Sequence, residues 1–327
     1  MSKLHVVQVN YFKYLLDEFE RMGLSTQQII RKSKLNQFDL SNPDNFVPVS
    51  LYHNMLSEMQ NQEIGDDPLG FFQPSLKVKN LASVGDVLLT SPDILSAVYD
   101  AVLFSPMFYS TQRIGLNING PETEIWLKFI EKESEATQTL YDIELGLIMD
   151  HLRLALGDKW NPIEIKLPTK YIPNLDHVIS GNAPVKVSGN TGHLGVVIKT
   201  AELRTPFSNP NPRSDEIDLS ALTDRKKLEH LLNAHQDGFV PTIEIMADYF
   251  NLSERSLRRV LNEHNFSYSK LLEDWRFKQS IAKMSDTSLS IKDISQQLGY
   301  QNSQNFIRAF NRWTGVSPQQ YRELKSQ

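Results

Sequence analysis

Cysteine is absent from the 327 residues. That excludes disulfides, thiolate nucleophiles, iron–sulfur clusters and cysteine-ligated zinc, and it fits a reducing cytoplasm without proving it. No apolar run approaches the roughly 18 residues of a membrane span. Met1–Val9 also lacks the basic start, long apolar stretch and small-residue cleavage site of a signal peptide. A cytoplasmic protein without a membrane partner is therefore expected. The chemistry of known catalytic motifs is missing too. There is no HExxH or HxH pair, and His230 and His235 stand five apart, on different faces of a helix. Gly189, Gly192 and Gly195 do not make the dinucleotide fingerprint and read as a turn between strands; no P-loop or Gly-x-Ser-x-Gly elbow occurs. No enzyme, catalytic residue, cofactor or metal site is expected.

What is present is an ordinary globular composition, 40% hydrophobic and 22% charged, with length for two domains or three. The net charge of −5 is unevenly spread: Ala221–Gln327 holds 15 basic against 12 acidic residues, and the preceding 220 hold 19 against 27. Such asymmetry hints at a basic binding module joined to an acidic partner domain. The break falls at Thr205–Asp218, where three prolines and no apolar periodicity predict an exposed linker. The expected division is residues 1–205 as a first domain, 206–220 as linker, and 221–327 as a second domain.

The first hundred residues read as mostly helical. Phe12, Leu15, Leu16 and Phe19 share one helix face that Gly23 terminates, and Ser91-Pro92-Asp93 looks like a helix start with Ser91 as cap. Ile94, Leu95, Val98 and Val102 follow on one face. Ile114, Leu116 and Ile118 then alternate, Asn119-Gly120-Pro121 turns the chain, and Ile125, Leu127 and Phe129 alternate back as a hairpin. Gln138–Leu156 predicts a long helix, apolar almost all round. Strands are expected around Ile163–Leu167, Val185–Val187 and Leu194–Lys199. The fold class is thus an α+β N-terminal domain followed by an all-α C-terminal domain.

The C-terminal part contains a repeat. Ile243, Met246 and Phe250 match Ile291, Ile294 and Leu298 at an offset of about 48, and Leu257, Arg259 and Leu261 match Phe306, Arg308 and Phe310 one residue later. Each copy, about 242–265 and 291–314, reads as a short helix, a tight turn and a longer helix. Asn251 and Gly299 occupy the turn, where a left-handed residue is wanted, and Ser253 and Asn302 are natural N-caps. With Leu257, Val260, Leu261 and Phe306, Ala309, Phe310, Trp313 inward, the outer faces carry Glu254, Arg255, Arg258, Arg259 and Asn262 in the first copy. In the second they carry Gln304, Asn305, Arg308 and Arg312. Arginine pairs with guanine, and asparagine or glutamine with adenine. Two plain helical hairpins with solvated polar faces are the competing reading; the duplication of cap, turn residue and outer face weighs against it.

On these residues Phe239–Glu323 resembles the DNA-binding domain of AraC/XylS transcription regulators, with Ile294, Gly299, Phe306, Arg308, Phe310, Gly315, Ser317, Pro318 and Tyr321 at the family's spacing. The resemblance implies two helix–turn–helix units joined by a connecting helix, here Tyr268–Met284. Asn265 and Phe277 depart from the residues usual at their positions. GDDPLGFF, LASVGDVLLTSPDILSAVYDAVLF and the long helix resemble the arabinose-binding-like sensor domain of one branch of that family.

The expected function is a sequence-specific transcription regulator controlled by a small-molecule effector. Its expected partners are double-stranded promoter or operator DNA, RNA polymerase and a second copy through the N-terminal domain. Control by a protein partner instead of an effector is the alternative. Glu144 and His151, polar residues on the otherwise apolar long helix, are the candidate effector-binding residues. A satisfied core pair is the other reading of those two.

Overall fold

The alternation around Asn119 folds as a hairpin in the computed structural model, which describes residues 4–61, 67–81, 83–131, 133–181, 184–207, 223–236, 238–286 and 288–325. The chain divides into two units, one of residues 5–36 and 40–207, the other of 4, 37–39 and 223–325. Of the expected linker, 206–220, residues 208–220 lie outside the described residues; Pro206 and Phe207 are described, and Phe207 is buried in the first unit, so the linker does not begin at 206.

The first unit runs β1 (Val6–Gln8), α1 (Lys13–Arg21), α2 (Thr26–Lys32), β2 (Phe46–Pro48), α3 (Val49–Met59), α4 (Pro68–Phe72), α5 (Ser83–Leu89) and α6 (Ile94–Phe108). The hairpin strands β3 (Gln112–Asn119) and β4 (Glu122–Phe129) come next, then α7 (Glu135–Leu156), β5 (Glu164–Lys166), β6 (Lys186–Ser188) and β7 (Leu194–Lys199). The last five strands form one sheet in the order β3-β4-β7-β5-β6, in which β5 and β6 are parallel and the other pairs antiparallel. Its register sets Ile125 opposite Val196 and Leu127 opposite Leu194, all buried. Apolar cross-strand pairs of this kind hold one face of a sheet on its core. α7 is covered nearly all round, as its apolar sequence requires. Ser134 caps it by accepting from Thr137 N at 3.2 Å, and Gly157, at φ 93°, ends it.

Several expectations are corrected. The early β1–β2 pair, three residues per strand, is too short to show as periodicity. Ser91 does not cap α6. Asp93 does, accepting from Ser96 N at 2.8 Å, while the Ser91 hydroxyl donates to Asp100 Oδ2 at 2.7 Å. Val102 and Ile118 fit the periodicity of their elements, yet are exposed. Gly195 lies inside β7, not in the preceding turn.

The second unit is helical: α8 (Asp224–Ala234), α9 (Ile243–Tyr249), α10 (Glu254–Glu263), α11 (Tyr268–Met284), α12 (Ile291–Gln297), α13 (Ser303–Thr314) and α14 (Pro318–Lys325). Thr223, Thr242, Ser253, Ser267, Ser290 and Asn302 each accept a hydrogen bond from a backbone N–H in the first turn of the helix they precede. Each such cap is worth about 1 kcal/mol, which matters for helices as short as seven residues. Leu228, Leu231, Met246, Leu257, Leu261 and Leu271 are buried in the first half. Met284, Ile294, Leu298, Phe306 and Phe310 form the core of the second, with Trp313 and Tyr321 packed on it. Leu4 and the three residues 37–39, which the sequence places in the first domain, group with this unit: Phe38 is buried against the His235 ring, centroids 4.3 Å apart, and Asp39 N donates to the Ala234 carbonyl at 2.7 Å.

Candidate nucleic-acid interface and ligand cavity

The two turns need a left-handed residue, and they have one. Asn251 sits at φ 52° and Gly299 at φ 71°. The copies differ in why. A Cβ built on Gly299 would meet Val240 Cγ2 at 2.7 Å and Val240 Cβ at 2.9 Å, so glycine is required there by space as well as by backbone angle.

Burial of Leu257, Val260 and Leu261 turns the opposite side of α10 to solvent. Arg255, Arg258, Arg259 and Asn262 are exposed and Glu254 is half-buried; the arginines and Asn262 line one shallow concavity with Ser256 and Glu263. Burial of Phe306, Ala309 and Phe310 does the same for α13, leaving Gln304, Arg308 and Arg312 exposed and Asn305 half-buried. Asn305, Arg308 and Arg312 border a second concavity whose floor includes Arg276 and Tyr300.

The arginines are not equivalent. Arg258 pairs with Glu254 one turn back at 2.5 Å, Arg259 faces Glu263 at 3.8 Å, and Arg312 pairs with Glu273 of α11 at 2.5 Å. Arg255 has no acidic partner among the described residues, and Arg308 bonds only to the uncharged Asn305 Oδ1, at 2.5 Å. These two are the cations most available to an anionic ligand. Glu273 also accepts from Trp313 Nε1 at 3.0 Å; together with Arg312 this holds its carboxyl below the usual range.

Arg276 and Glu273 escaped the sequence reading. Arg276 donates from Nε to the Leu298 carbonyl at 3.0 Å and from a terminal nitrogen to the Gly299 carbonyl at 3.4 Å. Its guanidinium carbon lies 4.6 Å from the Tyr300 ring centroid. It thereby ties α11 to the turn that launches α13. Nothing in the local sequence marks this, because both partners lie over 20 residues away.

The first unit forms a cavity, partly open to solvent, between the β3–β4 hairpin, α5, α6 and α7. Both Glu144 and His151 line it, two turns apart on α7. They are not a pair. Glu144 accepts from the Tyr11 hydroxyl, which in turn accepts from Gln112 Nε2 at 2.6 Å. Burial raises the Glu144 carboxyl to about 7, opposed by those hydrogen bonds. Burial likewise lowers the His151 imidazole to about 4. His151 stacks on Phe207 with centroids 4.9 Å apart, and its Nε2 is buried with no hydrogen-bond partner among the described residues. Phe207 was missed because it stands in a proline-rich segment that composition marks as linker. Among the described residues no group of His, Asp and Glu is placed to hold a metal ion, and no helix is long and apolar enough to cross a membrane.

Two families match the chain: the helix-turn-helix domain over residues 246–324, and the arabinose-binding domain of AraC transcription regulators, N-terminal, over 23–178. Over 97 residues, 30% of this chain, it is 37% identical to the ornithine utilization regulator of Pseudomonas aeruginosa, covering 28% of that protein. It is 31% identical over 107 residues to the HTH-type transcriptional regulator VqsM of the same organism, covering 33% of this chain and 32% of that one. The chain thus spans about three-tenths of the length of the curated relatives it matches. The crystal structure of the transcriptional regulator CdpR from Pseudomonas aeruginosa aligns over 96% of this chain and 98% of that one, at 17% identity and a TM-score of 0.44.

Proposed function

We propose that the chain is an AraC/XylS transcription regulator with an arabinose-binding-like N-terminal domain, and that it binds a specific promoter or operator through α10 and α13 and responds to a small molecule held in the first unit. The observation that carries the DNA reading is the pair of exposed arginine and amide faces on two successive reading helices, each set by a left-handed turn and an N-cap. Phosphate contacts would anchor the domain and make affinity fall steeply with salt, while the outer side chains would read base edges in the major groove. The effector reading rests on Glu144 and His151 facing one cavity. RNA polymerase and a second copy of the chain belong to the same proposal as partners. Tyr99 and Leu103, 57% and 61% exposed on α6, are apolar surface such a copy would cover. Leu103→Glu should then shift the sedimenting species to monomer.

The test of the DNA reading is geometric. The connecting helix α11 has 17 residues, about 25 Å at 1.5 Å per residue. The two reading helices should therefore enter successive major grooves of one asymmetric site. Inserting about 5 bp between the contacted grooves should abolish specific binding of a monomeric C-terminal fragment, and a full-turn insertion should not restore it. Recovery at the full turn would overturn the rigid tandem.

A further inference from the structure

The same cavity constrains what can fill it, and this inference rests on the effector reading above. Of the residues that line it, most are aliphatic or aromatic, among them Ala97, Phe104, Ile125 and Leu147. No lysine or arginine among the described residues lines it, while Asp100 and Glu144 do. Asp100 is held by the Ser91 hydroxyl and Glu144 by the Tyr11 hydroxyl. A carboxylate or phosphate entering this space would lose its water without gaining a cation and would meet two carboxyl groups. A sugar would leave most of its hydroxyls without partners against the aliphatic wall.

His151 supplies the positive half of the specification. Its Nε2 is buried with no hydrogen-bond partner among the described residues. On a neutral imidazole with its proton on Nδ1, Nε2 presents a bare lone pair. The Ser105 hydroxyl, on the α6 wall, is likewise buried without a partner among the described residues. Buried polar atoms are nearly always satisfied, so two orphans facing one cavity mark where a ligand completes the set. We propose that the ligand of this cavity is a mainly apolar molecule, without negative charge, that carries a hydrogen-bond donor such as a hydroxyl, and that this donor is accepted by His151 Nε2.

Titration calorimetry on the full chain with four probes tests this: octan-1-ol, its isomer heptyl methyl ether, octanoate and L-arabinose. The alcohol should bind several-fold to about tenfold tighter than the ether, the range one neutral hydrogen bond supplies. Octanoate should bind weaker than both, and arabinose should give no saturable heat. His151→Phe, which keeps the stack on Phe207 and removes the acceptor, should equalise alcohol and ether without abolishing either. Tighter binding of octanoate or arabinose than of octanol would overturn the ligand class and leave the effector reading standing. So would an alcohol advantage that survives in His151→Phe. If none of the four binds, the ligand class fails. The effector reading is tested apart, by Ala101→Phe, which fills the cavity: it fails if promoter output in cells is unchanged by that substitution.

Discussion

Gly299 and Gly315 separate two costs that are usually confounded. Both have positive φ, 71° and 78°, but a Cβ at Gly315 would meet no atom within 4 Å, whereas at Gly299 it would overlap Val240. Gly315→Ala should therefore cost only the left-handed penalty of a side chain, about 1–2 kcal/mol. Gly299→Ala adds overpacking of about 1–3 kcal/mol, for a total of roughly 2–5 kcal/mol. Urea titration of the C-terminal unit, followed by circular dichroism, reads both. Val240→Ala removes the nearer overlap, the one with Cγ2 at 2.7 Å, and leaves the Cβ contact at 2.9 Å. The double variant Gly299→Ala/Val240→Ala should accordingly regain about 1 kcal/mol over the sum of the single effects. Gly299→Val should be worse than Gly299→Ala, since a β-branched residue resists positive φ still more. Equal losses at Gly299 and Gly315, or a coupling to Val240 indistinguishable from zero, would refute the claim that space and not angle alone selects glycine at the second turn.

Arg255→Ala and Arg308→Ala should each cost about 1–3 kcal/mol on operator DNA and much less on random DNA; Arg259→Ala, whose guanidinium faces Glu263 in solvent, should cost less. Equal losses on both DNAs in filter binding would reduce those arginines to phosphate contacts. Glu144, raised to about 7 in the folded chain, stays protonated where the unfolded chain has ionised, so its contribution to stability falls as pH rises from about 4.5 to 7. Glu144→Gln should therefore gain on the wild type between pH 5 and pH 8, by at most on the order of 3 kcal/mol; urea midpoints that move in parallel would contradict this.

What could be read from the sequence was whatever is periodic or local. The hairpin around Gly120, the connecting helix Tyr268–Met284 and the turn residues Asn251 and Gly299 are written in alternation, stripe and cap. The partners of a charged side chain are not. Arg312 and Glu273 stand 39 residues apart, and no spacing rule brings them together. Nor can a sequence show a void. Leu147 facing empty space and Leu140 facing packed core have the same local pattern, so Glu144 and His151 could be suspected but the cavity between α6 and α7 could not be seen. Phe207 was hidden for a further reason: three prolines nearby mimic a stretch with nothing to pack.

Arg276 has a bearing on transplantation. α12 is seven residues long, far below the length at which a helix persists alone in water. Just beyond its end, the carbonyls of Leu298 and Gly299 accept from a side chain that belongs to α11. A graft of residues 291–314 onto another scaffold would carry the reading face and leave its support behind, with two acceptors returned to solvent and the Tyr300 ring uncovered. The smallest portable reader of the second half-site therefore begins before Arg276, and a chimaera cut between α11 and α12 should read no sequence at all.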